Sequence, residues 1–130
     1  MSRNTRQFTD FSLAFNIHPS TADLVKKTDE EAIKASLRNL ISTKNYERPF
    51  HPVIGCQIFS LLFENVNPIT TEVMKKTIYQ TIEKFEPRVT VVDVRVKQTP
   101  DENSLSVDII FKIVNTDRPV TFNTVISRVR

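Results

Sequence analysis

The sequence contains a single glycine, Gly55, in 130 residues, where about nine would be average. Loops that cradle phosphates need two or more glycines at fixed spacing, so that class of nucleotide site is excluded. Turns must instead use Asn, Asp and Pro. Cysteine is almost as scarce. Cys56 stands alone, so no internal disulfide can form, which fits a reducing compartment. No apolar run approaches the roughly 20 residues that span a bilayer. The opening "MSRNTRQFTD" lacks the apolar segment of a signal peptide. Runs of one charge are missing too. The net charge is +3 and the pI about 9.2, but the signs are mixed, and Lys26-Lys27 and Lys75-Lys76 are isolated pairs. Without a basic arm or stripe, charge gives no case for nucleic acid. The partners expected therefore include neither nucleic acid nor membrane.

What is present is ordinary for a globular protein: 39% hydrophobic and 25% charged residues. A chain of this length makes one domain, here 1–130, and buries about two-thirds of its unfolded surface. Residues 1–9 are expected to form a loose arm. Phe11, Leu13, Phe15 and Ile17 alternate with polar or small residues, as in a strand or an extended arm over the core. "HPSTAD" reads as a turn. Thr28 and Glu31 have capping-box spacing, and Ile33, Leu37, Leu40 and Ile41 form one helical face, placing a helix near 29–42. "KNYERPFHPVIG" is a loop. A short helix is expected over 56–64, with Ile58, Leu61 and Leu62 inward. "NVNP" ends it. Thr70 or Thr71 should cap a longer helix near 71–85, with the stripe Met74, Ile78, Ile82 and Phe85.

The period then becomes two. Val92, Val94 and Val96 alternate with Asp93, Arg95 and Lys97. "TPDEN" at 99–103 should be a hairpin loop. Leu105, Val107, Ile109, Phe111 and Ile113 make the clearest strand. "NTDRP" turns again, and Val120, Phe122, Thr124 and Ile126 form a last strand. The fold class expected is α+β, with N-terminal helices packed on one face of a three-stranded antiparallel β-meander.

Chemistry-bearing residues are few. A small cell-wall hydrolase of the lysozyme kind needs two facing carboxylates. Glu64, Glu86, Asp93 and Asp108 are available, but Asp93 and Asp108 alternate with apolar residues and belong on a solvated face. His18, His51 and Cys56 lack zinc-type spacing, and both histidines precede proline, as in turns. No catalytic residue, metal or cofactor is expected. Cys56 reads as a small buried hydrophobe, and Tyr46 and the phenylalanines as core. In "FEPRV", Pro87 forces Glu86 out of the helical region, so Glu86 and Arg88 project to one side. They can form a surface ion pair or face a partner together. An acid at a helix C-terminus is mildly unfavourable, which hints at more than a surface pair.

"YERPFHPVIGCQIFSLLFENVNPIT", "FEPRV", "DEEAIKASLRNLIST" and the "HPSTAD" turn resemble one family over nearly the whole chain, from about Asp10 to the last strand. It is the family of baseplate wedge, sheath-initiating subunits of contractile-tailed phages, with TssE as its type VI secretion relative. The resemblance implies a structural virion protein, not an enzyme, although older descriptions of the family carry a lysozyme label. It implies one copy per wedge in the inner baseplate, assembled in the host cytoplasm. There the subunit clamps the core bundle of the larger wedge proteins, near tail tube or hub proteins, and nucleates the tail sheath. The family's EPR motif falls on Glu86, Pro87 and Arg88, and Arg48 of the ERP loop is a further partner-binding candidate. Many relatives have glycine where this chain has Tyr46, so the loop is expected to differ, with Asn45 left-handed.

A meander has two open edges, here near 89–97 and 120–129, and an open edge is a template for another chain. "VTFNTVIS" has no charge and Pro119 only at its start. Val120, Phe122, Thr124 and Ile126 are therefore candidates for strand addition by sheath, unless the "FSLAFNI" arm covers that edge.

Overall fold

The structure is a computed structural model that describes residues 9–11, 14–23, 26–64, 67–99, 104–114 and 116–127, with side chains of 9–11 and 26–28 left aside. In chain order the elements are β1 (Thr9–Phe11), β2 (Lys26–Thr28), α1 (Asp29–Ser42), α2 (Ile58–Leu61), α3 (Pro68–Phe85), β3 (Val89–Thr99), β4 (Ser104–Ile113) and β5 (Pro119–Ser127). The expected α+β class holds: after a short two-stranded β1-β2 pair come the helices, then an antiparallel sheet in the order β3-β4-β5.

Periodicity explains the packing. Ile33, Leu37 and Ile41 of α1 and Met74, Ile78 and Ile82 of α3 are fully buried, each set on one helical face. They meet the inward residues of the sheet: Val89, Val91 and Val94 of β3, alternate residues from Leu105 to Ile113 on β4, and Phe122 and Ile126 of β5. Ile58 and Leu62 close the core at α2, where Leu61 is only half-buried. Burying each such side chain contributes about 1.5–3 kcal/mol. The opposite face of the sheet is largely exposed and mixes polar residues with Val92, Ile110 and Val125.

Several local expectations are corrected. α3 begins at Pro68, and its cap is Asn67, whose Oδ1 accepts from the Thr70 N–H at 2.7 Å. Proline suits the first helical position because its missing N–H would have no helical partner there. Thus Asn-Pro starts this helix instead of merely ending the previous one. α2 is a single turn, shorter than 56–64. The alternation of Phe11, Phe15 and Ile17 does not make one strand. Among the described residues of this stretch, Thr9–Phe11 alone is a strand, paired with β2, while Phe15 and Ile17 are exposed. Leu13 lies outside the described residues, as do the Thr28 side chain and most of the hairpin loop at 99–103. Val92 does not face the core. The register steps from Val91↔Phe111 to Asp93↔Ile110, so Val92 is the extra residue of a β-bulge and is 53% exposed. A pattern read strictly in twos cannot reveal an inserted residue.

Candidate functional site

Three parts of the fold carry the sequence-derived candidates. The first is the junction of α3 and β3. The α3 helix ends as the Glu86 N–H donates to the Ile82 carbonyl at 2.8 Å. Glu86 then leaves the helical region (φ −126°, ψ 80°), as a residue before proline must. The Arg88 carbonyl accepts from the Val114 N–H at 3.0 Å, which anchors the motif to the far end of β4.

Glu86 and Arg88 do project together, but they are not a surface pair. Glu86 is 3% exposed. Its Oε1 accepts from Arg88 Nε at 2.5 Å, and its Oε2 from Arg88 Nη2 at 2.7 Å and from the Ser36 hydroxyl at 2.5 Å. Two parallel guanidinium bonds are the strong form of such a pair. Burial alone would raise the Glu86 pKa. The Arg88 and Ser36 hydrogen bonds and the Arg88 charge outweigh it, so the carboxyl titrates below the ordinary value of 4.5. Helix α1, the end of α3 and the start of β3 are thus clasped at one carboxylate. The nearby guanidinium also cancels the misfit of an acid at a helix C-terminus. Ser36 was not a sequence candidate. It sits beside Leu37 at the edge of the α1 stripe, where a serine gives no sign of its partner.

The second part is the loop 44–55. Its base is fixed by the Cys56 N–H donating to the Thr43 carbonyl (2.9 Å) and the Tyr46 N–H to the Pro52 carbonyl (2.8 Å). Gly55 is required here. At φ +152° a Cβ would lie 2.8 Å from the Asn45 nitrogen and the Lys44 carbonyl carbon. At this turn Tyr46 (φ 69°), not Asn45, is left-handed, so the chain takes with tyrosine the conformation glycine favours. Arg48 is exposed on this loop, with no ion pair to the Glu86–Arg88 clasp. Tyr46 and Phe50 are exposed as well, which corrects their assignment to the core.

The third part is β5. Its sole strand neighbour among the described residues is β4. Phe122 and Ile126 point into the core, and Val120 and Thr124 are half-buried on the same face. Phe122 and Ile126 are therefore core residues, and the edge offers its backbone and the exposed parts of Val120 and Thr124. The β1 segment of the N-terminal arm pairs with β2, not with β5.

The remaining acids offer little chemistry. Glu64 is exposed; Asp93 pairs with Arg95 at 2.9 Å, and Asp108 accepts from Asn123 across the strands. A glycosidase acid must hold its proton near neutral pH, whereas Glu86 is driven the other way. Cys56 is buried beside Thr81, and burial raises its pKa, which leaves the thiol unreactive. His18 and its Ser20 partner lie in the exposed 18–23 turn. Among the described residues no three His, Cys, Asp or Glu side chains gather as a metal would need, and no helix is long and apolar enough to cross a membrane.

Comparison with known proteins adds the following. Residues 27–118 match the family model "Baseplate wedge protein gp25". The Baseplate wedge protein gp25 of Enterobacteria phage T4 is 32% identical over 93 residues, which are 72% of this chain and 70% of that protein. A component of the anti-feeding prophage baseplate has the same fold, with a TM-score of 0.66 and 21% identity over 95% of this chain and 88% of that one. A Geobacter sulfurreducens protein described as a tail lysozyme superposes with a TM-score of 0.61 and 26% identity, over 73% of this chain and 88% of that one.

Proposed function

The chain belongs to the baseplate wedge protein gp25 family, and from that premise we propose that it is a structural subunit of a contractile-tail baseplate, clamping the core bundle of the larger wedge proteins and starting the sheath. Its place is the baseplate of a phage tail or related particle, among other baseplate proteins. Assembly in the host cytoplasm belongs to the same reading, as does contact with tube or hub proteins.

The observation that carries it is the difference between the two edges of the sheet. β3 has the features that discourage pairing: a bulge at Val92 and exposed Asp93, Arg95 and Lys97. β5 has neither a bulge nor a charge, and Pro119 interrupts only its first position. Its outward residues Thr121, Asn123 and Val125 leave the backbone approachable. A sheath segment added as a fourth strand would gain main-chain hydrogen bonds from β5 and register from alternate side chains. At the junction of α3 and β3, Pro87 and the exposed part of Arg88 are the portion of the EPR motif within reach of a wedge bundle.

Thr121→Lys and Val125→Lys test this. Both sites are exposed, so the melting temperature should hold while sheath polymerisation on purified baseplates fails. Sheath that still assembles, or electron microscopy showing sheath segments that pass both edges without backbone pairing, would refute strand addition. Of the relatives named above, one carries a name that favours the cell-wall hydrolase alternative, and no acid of the described residues is placed as a proton donor for it.

A further inference from the structure

The tip of the loop 44–55 presents a rigid apolar knob that neither the sheet edge nor the Glu86 clasp uses. Phe50 is 97% exposed and Tyr46 82%, with Val53 exposed beside them. The loop's own bonds hold the rings out. Thr43–Cys56 and Tyr46–Pro52 backbone bonds close the loop, the Lys44 N–H donates to the Glu47 carboxylate at 2.9 Å, and Pro49 and Pro52 fix their own φ angles. Both aromatic residues also sit in left-handed backbone, Phe50 at φ 68° and Tyr46 at φ 69°. Bulky side chains rarely enter that region, and such outliers cluster where a surface engages something else. Exposed rings held in a costly conformation are an unfavourable arrangement for an isolated monomer.

The charge at the tip narrows the partner. Glu47 is turned back onto the loop's own backbone, whereas the neighbouring Arg48 is exposed and has no ion pair among the described residues. The tip thus offers two rings and a cation. Its complement is an apolar pocket with a carboxylate at the mouth, where aromatic and arginine side chains dominate binding. A second copy of this chain fits poorly. Its apolar hollow on α3, walled by Pro68, Ile69 and Val73, has Lys76 at its edge, and its Glu72 is already paired with Lys75 at 2.6 Å.

We propose that the 44–55 loop is a docking element whose Phe50 ring seats in an apolar, acid-rimmed pocket of a different baseplate protein, with Tyr46 packed beside it and Arg48 on the carboxylate. The proposal rests on the chain working inside a baseplate.

The test uses the full chain co-expressed with the other baseplate proteins of its own particle. Phe50→Ala should weaken their retention by at least about thirtyfold, the scale of a central anchor. Phe50→Tyr should keep most of it, and Arg48→Glu should weaken it. Phe50→Gly separates binding from folding: glycine relieves the left-handed position, so melting should hold or rise while retention falls. A benzoylphenylalanine at position 50 should crosslink to an apolar segment containing Asp or Glu. Retention unchanged in Phe50→Ala overturns the proposal while leaving the baseplate assignment standing. A wild-type chain that retains no baseplate protein overturns both. Crosslinks to a second copy, or Phe50-dependent binding to anionic phospholipid vesicles in place of the proteins, also overturn it.

Discussion

Replacing Glu86 with alanine removes one carboxylate on which two side chains converge. The Arg88 guanidinium loses both bonds and the Ser36 hydroxyl loses its acceptor. Breaking a buried pair from one side costs about 3–5 kcal/mol, against at most about 1 for an exposed pair. Arg88 keeps a quarter of its side chain in water, so it recovers some hydration and the low end, about 3 kcal/mol, is expected. That is a large part of the roughly 5–15 kcal/mol holding a domain together. At about 3–5 °C per kcal/mol for a domain of this size, the melting temperature should fall by about 10 °C. Urea titration should show a lower midpoint with an unchanged slope. Glu86 and Arg88 should also couple in a double-mutant cycle with Glu86→Gln and Arg88→Met. The pH dependence has a fixed sign. The folded pKa lies below 4.5, so the pair's stabilisation is complete above the unfolded value. It drains away as pH falls from 4.5 through the folded pKa. The gap between wild type and Glu86→Ala should therefore narrow in acid. A loss under about 1 kcal/mol at pH 7, or a gap that widens below pH 4.5, would refute the clasp.

Gly55→Ala should destabilise by more than about 2 kcal/mol, because the new Cβ would press on the Lys44 and Asn45 backbone 2.8 Å away; near-wild-type urea unfolding would mean the loop can shift. Asn67→Ala should cost about 1 kcal/mol through the lost α3 cap, with Asn67→Asp close to neutral, both by thermal melting. Val92→Thr should change stability by less than about 0.5 kcal/mol, because the bulge holds this valine outside the core, whereas Val94→Thr should cost clearly more. Purified protein should release no sugar from peptidoglycan between pH 4 and 8; turnover abolished by Glu64→Gln or Glu86→Gln would reinstate the hydrolase alternative.

The regular elements were readable because their periodicity is strong. The alternation from Leu105 to Ile113 places β4, and the 3.6-residue stripes place α1 and most of α3. What escaped depends on single residues. The Val92 bulge breaks the count of two by one position. The start of α3 turns on whether Asn-Pro ends a helix or begins one, and both satisfy the local chemistry. Aromatics usually bury, which points Tyr46 and Phe50 to the core, but that rule says nothing about a loop held open by its own backbone bonds. At the EPR motif, spacing put Glu86 and Arg88 on the same side. Its burial was invisible, because it is tertiary: one of the groups meeting the carboxylate is Ser36, fifty residues upstream.

That burial changes how the motif can serve an assembly. A carboxylate already holding three hydrogen bonds has little capacity left for a partner, so Glu86 acts from inside. It fixes the rotamer of Arg88 and locks the backbone where α3 becomes β3. Pro87 is exposed and Arg88 partly so. An arginine held by its own glutamate loses little side-chain entropy on meeting a second acceptor, which is the advantage of preorganisation in binding. If the motif meets the wedge bundle as proposed, the acid beside the proline presents the base: variants at Glu86 should then weaken the fold and that contact together, whereas variants at the exposed Pro87 should act mainly on the contact.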